Sequence, residues 1–69
     1  MRISARNQLR GTVKSVKHGA VVSEVVLDIG NGQELVSVIT RESAEQLGLA
    51  PGMAVVAIIK STEVMIAAE

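Results

Sequence analysis

Cysteine, tryptophan, tyrosine and phenylalanine are all absent from this 69-residue chain, and proline and histidine each occur once. Without cysteine there is no disulfide and no thiolate zinc site, and the lone His18 cannot assemble a metal centre within one chain. Without aromatic rings, the core must be built from Val, Ile, Leu, Ala and Met, a palette low in volume per residue. One domain spanning 1–69 is the most this length supports. A domain so small buries a modest share of its surface and usually needs a staple or a partner. With the staples missing, burial between subunits is the remaining remedy, and an apolar content of 48% fits it. A charge excess of one sign is missing too: 7 Lys and Arg balance 7 Asp and Glu. There is no electropositive footprint for a nucleic-acid backbone, and no aromatic platform on which single-stranded bases could stack. No apolar run approaches the roughly 20 residues of a membrane span, and the N-terminus lacks the apolar core of a signal peptide. A cytoplasmic protein with neither a nucleic-acid nor a membrane partner is the expectation.

What is present reads as short strands. Leu9 to Val16 alternates Leu9, Gly11 and Val13 with Arg10, Thr12 and Lys14 before the phase slips at Ser15, which predicts a strand with a bulge. His18-Gly19 supplies a turn. Ala20 to Ile29 then carries Val21, Ser23, Val25, Leu27 and Ile29 on one face. Gly30-Asn31-Gly32 is the strongest hairpin signal, since Asn-Gly tolerates the positive φ of tight turns. A third strand follows over Glu34 to Ile39. Thr40 can cap a short helix from Arg41 to about Leu47, with Ala44 and Leu47 facing the core and Gly48 just past its end. Pro51-Gly52 makes a turn. Met53 to Ile59 and Val64 to Ala68 complete a five-stranded set, divided by Lys60-Ser61-Thr62-Glu63. The order β-β-β-α-β-β predicts an all-β fold: a small five-stranded Greek-key barrel of the oligonucleotide/oligosaccharide-binding (OB) type, with one short helix between strands three and four. An SH3-like barrel is the structural alternative. Strands three and four are apolar on both faces, which points to subunit contact.

Catalysis finds little support in these residues. His18 stands alone in a turn, and Glu24 and Asp28 on one strand face read as solvated carboxylates rather than an acid/base pair. The informative residues are two polar clusters near the ends, Ser4-Ala5-Arg6-Asn7-Gln8 and Lys60-Ser61-Thr62. Ser4 and Ser61 offer hydroxyls, Arg6 a planar fork of N–H groups, Lys60 a point charge and Asn7 an amide, with no carboxylate in the centre of either cluster. Such a donor set suits an oxygen-rich anion. Thr40, at the start of the helix, adds a third contributor through the unpartnered first N–H groups and the helix dipole. From spacing alone the plain alternative of turn caps and solvated cations weighs more, because anion motifs this short recur by chance.

The residues Ser4 to Gly11, Val13, Val16, Gly19, Val22 to Val25, Ile39-Thr40 and Ala57 to Ala67 closely resemble the molbindins, small molybdate-binding proteins related to the transport-associated OB-fold domain. The likeness is collinear over essentially the whole chain. It implies a cytoplasmic homohexamer, a trimer of dimers, that holds molybdate or tungstate at subunit interfaces as a store or buffer. By position, Ser4, Ala5 and Arg6 match the family's N-terminal anion-binding segment, Lys60 and Ser61 its C-terminal one, and Thr40 the contributing threonine, with the segments drawn from one chain or from several. Asn7 is a weaker candidate, and Gly19 and its neighbours match further oxyanion sites that use backbone groups. Ser61 stands where other members can carry Ala, which keeps a hydroxyl. Two other readings compete: a small-barrel nucleic-acid or ribosome-associated module, disfavoured by neutral charge and absent aromatics, and a purely structural oligomerisation module, disfavoured by the two intact polar clusters.

Overall fold

A computed structural model describes residues 2–69. Among them run β1 (Asn7–His18), β2 (Val22–Gly30), β3 (Gln33–Thr40), the helix α1 (Arg41–Gln46), β4 (Ala54–Ile59) and a 3-10 turn over Ser61–Glu63. The strands form one antiparallel sheet in the order β3-β2-β1-β4, so β4 returns past α1 to lie beside β1. That spatial order is a Greek key.

Local chemistry sets each boundary. The β1–β2 register shifts between Val13 and Ser15, the bulge predicted from the slipped alternation, and it bends β1 so that the sheet curls. The β2–β3 hairpin closes on Asn31 (φ 55°) and Gly32 (φ 73°), the two left-handed positions of a type I′ turn, whose twist matches that of the flanking strands. Thr40 caps α1: its Oγ1 accepts from the Ser43 N–H at 3.1 Å.

The inward faces of β1 and β2 hold the core of Val13, Val25 and Leu27, flanked by Val16, Ile29, Leu35, Ile39, Leu49, Val55 and Ala57. Ala44 of α1 is buried as expected, but Leu47 is 61% exposed. The helix ends one residue before Leu47, which becomes its C-cap, and Leu49 packs against the core in its place.

The predicted fifth strand does not form within the chain. Residues 64–69 carry no regular structure, with Met65 93% and Ile66 88% exposed. A strand needs a neighbouring backbone for its N–H and C=O groups, and the chain turns away from β4 through the 3-10 turn. Consequently β3 and β4 are the edges of an open curled sheet of four strands among the described residues. Between them lies an apolar trough of about 730 Å³ lined by core residues and by Val64. The outward Val36, Val38, Val56 and Ile58 are exposed, which is the two-faced apolar pattern read in the sequence.

Candidate oxyanion site

The ladder between β1 and β4 brings the two polar clusters together. Asn7 pairs with Ile59 and Gln8 with Ile58 in antiparallel register. The ladder ends at that pair, so the residues just before Asn7, Arg6 among them, emerge beside those just after Ile59, Lys60 among them. Two segments more than fifty positions apart in sequence thus meet at one end of one sheet. Ser4, Arg6, Lys60 and Ser61 are exposed there, while Ala5 and Asn7 are half-buried.

Each arm has its own internal brace. The Gln8 side-chain amide donates to the Ala5 carbonyl at 2.8 Å, closing the turn that leads into β1. In the other arm the Glu63 N–H donates to the Lys60 carbonyl at 2.9 Å, which winds Ser61–Glu63 into its 3-10 turn. The ion pairs among the described residues are Lys14–Glu34 and Arg41–Glu45, so neither Arg6 nor Lys60 is neutralised by a carboxylate of its own chain. Glu63, the acidic residue of this region, lines the apolar trough. The result is a surface with two cations and two hydroxyls side by side, suited to charge-assisted hydrogen bonds with a tetrahedral anion.

Thr40 and Gly19 sit at the other end of the sheet. Thr40 pairs with Val22, and the Arg41 N–H donates to the Val21 carbonyl at 2.8 Å, so the start of α1 lies against the β1–β2 turn. The 12 residues of β1 separate this end from Arg6, roughly 40 Å along the strand at about 3.3 Å per residue. Curling shortens that path, yet within one chain Thr40 does not join Arg6 and Lys60. Its hydroxyl, besides capping α1, donates to Ser43 Oγ at 2.8 Å. The Gly19 N–H is engaged with the Val22 carbonyl at 2.7 Å, and a Cβ at Gly19 would stand 2.8 Å from that oxygen. Close backbone approach inside the turn therefore explains glycine at this position.

His18 is exposed as expected, but its ring has a structural partner: Nδ1 lies 2.7 Å from the hydroxyl of Ser23, which is 0% exposed. No group of His, Asp and Glu able to hold a metal ion occurs among the described residues, and no helix is long and apolar enough to cross a membrane. Gln8 belongs to the N-terminal polar cluster, where the sequence alone gives it no role. Its signal is nonetheless present, an amide side chain three residues after a carbonyl at the entry to a strand.

Residues 3–66 match the TOBE domain. Molybdenum-pterin-binding protein 3 of Clostridium pasteurianum is 53% identical over 68 residues, covering 99% of this chain and 100% of the relative. The structure of a molybdate-binding protein from Sporomusa ovata is 43% identical with a TM-score of 0.92, over 99% of this chain and 100% of that one. The cytoplasmic molybdate-binding protein ModG, solved with molybdate bound, is 48% identical with a TM-score of 0.84, over 88% of this chain and 43% of that one. The resemblance and the OB-like fold read in the sequence are both borne out.

Proposed function

Since the chain belongs to the TOBE domain family, we propose that it binds molybdate or tungstate in the cytoplasm and serves as an intracellular store or buffer. It acts by binding and not by catalysis. One observation carries the reading: the β1–β4 register gathers Ser4, Ala5, Arg6 and Asn7 beside Lys60 and Ser61, a cluster of donors without a carboxylate.

Arg6 grips two anion oxygens with its planar fork, Lys60 supplies a mobile point charge, and Ser4, Ser61 and the Ala5–Arg6 backbone complete the shell. Molybdate is a full dianion at neutral pH, whereas phosphate retains a proton, and a set of donors without a carboxylate acceptor disfavours that protonated form. Sulfate has the same charge as molybdate, so its rejection rests on size: shorter bonds leave some donors unpaired.

The opposite position of Thr40 supports a site shared between subunits. A neighbouring copy can bring its Thr40 hydroxyl to the anion, the hydrogen swinging from Ser43 Oγ while the oxygen keeps its cap. The open trough, the exposed valines of β3 and β4, and the unpaired 64–69 segment all favour the homohexamer, a trimer of dimers.

Equilibrium dialysis against molybdate, tungstate, sulfate and phosphate, read beside native mass spectrometry, tests the proposal. Retention of molybdate and tungstate by a hexamer at micromolar concentration is the expected result. A chain that holds no molybdate at that level is not a molybdate store.

A further inference from the structure

The two braces described above act on planar peptides. In a trans peptide the carbonyl and the following N–H point in opposite directions from one rigid plane. Gln8, by holding the Ala5 carbonyl at 2.8 Å, therefore also fixes the direction of the Arg6 N–H. In the same way the Glu63 N–H, by holding the Lys60 carbonyl at 2.9 Å, fixes that of the Ser61 N–H. One brace is backbone and comes with the 3-10 turn whatever the side chains. The other depends on a single exposed side chain, Gln8, which β-strand geometry does not require at that position. Each brace does a second thing: it holds the carbonyl turned away from the side that the N–H of the same peptide faces, so that oxygen does not meet an anion bound to the N–H.

We infer that Gln8 is a positioning residue that sets the anion preference of this site, by aiming the Arg6 amide and by denying the Ala5 carbonyl to oxyanions that carry a proton. The inference rests on the function proposed above. A fully deprotonated tetrahedral dianion needs only donors, so the braced arms suit it. Hydrogen phosphate carries an O–H that must find an acceptor when desolvated, and the braced arms offer none at Ala5 or Lys60. Releasing Gln8 has two effects, and only the second separates the two anions. The Arg6 amide loses its aim, which weakens every anion, and the freed Ala5 carbonyl becomes a partner for the phosphate proton alone.

The test compares the parent with Gln8→Met, which keeps side-chain length without a donor, and with Gln8→Ala. Molybdate affinity is measured by calorimetry at pH 8, together with the concentrations of phosphate and of sulfate that displace half of the bound molybdate. The expected result is a loss of molybdate affinity of roughly tenfold in both variants, the scale of one hydrogen bond. Phosphate should displace molybdate at a concentration at least tenfold lower than in the parent, while the sulfate-to-molybdate preference stays near the parent value. Anion-free melting, measured in parallel, should change little, because the Gln8 bond is exposed. Parent-like affinity in Gln8→Met overturns the inference. So does an equal loss for molybdate and phosphate accompanied by a lower anion-free melting temperature, since a merely structural role predicts that pattern. A parent that binds no molybdate overturns the function itself, which separates the two failures.

Discussion

Arg6 is the residue on which anion affinity should depend most, because it combines charge with a fork of donors and has no carboxylate partner in its own chain. Replacing it with Ala should weaken molybdate binding by about 2 kcal/mol or more, near thirtyfold, as a charge-assisted contact is lost. Calorimetric titration of the variant checks this, and unchanged affinity would remove Arg6 from the site. Gly11 matters for a different reason. A Cβ there would lie 2.8 Å from the backbone oxygen of Asp28 and 3.2 Å from Ile29 Cγ2. Gly11→Ala must push β1 away from β2, and a loss of about 1–3 kcal/mol in chemical denaturation is expected. A stability equal to that of the parent would mean the strands part without cost. Lys14 contributes little by comparison. Its hydrogen bond and attraction to Glu34 raise its pKa above the ordinary lysine value. A raised ammonium pKa gives a contribution that is complete at neutral pH and is lost only as pH climbs through that raised value. The pair is open to solvent and salt screens it.

At the scale of elements, α1 has only six residues, and its start depends on Thr40. Thr40→Ala should cost about 1 kcal/mol of stability by thermal or chemical unfolding, and Thr40→Ser should restore most of it. If the threonine also reaches a neighbour's anion, the Ala variant weakens molybdate binding as well, whereas a cap alone changes stability only. The elements most legible in the sequence were those whose signal is local. The Asn31-Gly32 turn, the bulge near Ser15, the Thr40 cap and the alternating Ser23, Val25 and Leu27 each follow from a few adjacent residues. The fifth strand was not legible, because alternation over Val64 to Ala68 specifies faces and says nothing of where a partner backbone lies. Leu47 misled for a similar reason: its helical phase was right, but the helix stopped before it. For the site, composition marked both polar clusters, whereas their meeting depends on the β1–β4 register, a pairing between distant segments that periodicity does not encode. The separation of Thr40 from Arg6 by the length of β1 is likewise a property of topology.

For the whole molecule, if the dianion is held between subunits as proposed, binding is linked to assembly. Ligand that binds only the folded oligomer stabilises it in proportion to the logarithm of its concentration. The melting temperature should therefore rise steadily with molybdate above the dissociation constant and show no comparable response to sulfate. A flat curve would place the sites away from the subunit contacts.

The open trough between β3 and β4 also makes time a variable. A single copy displays Val36, Val38, Val56 and Ile58 to water along with a groove that nothing in its own chain covers. At micromolar concentration, with an association rate on the order of 10⁶ M⁻¹ s⁻¹, such a copy meets another within about a second. If the oligomer proposed above forms, the lifetime of a lone chain is set by how many others are present. A newly made copy in a sparsely supplied cell would stay half-finished, waiting for company, for much longer than it took to fold.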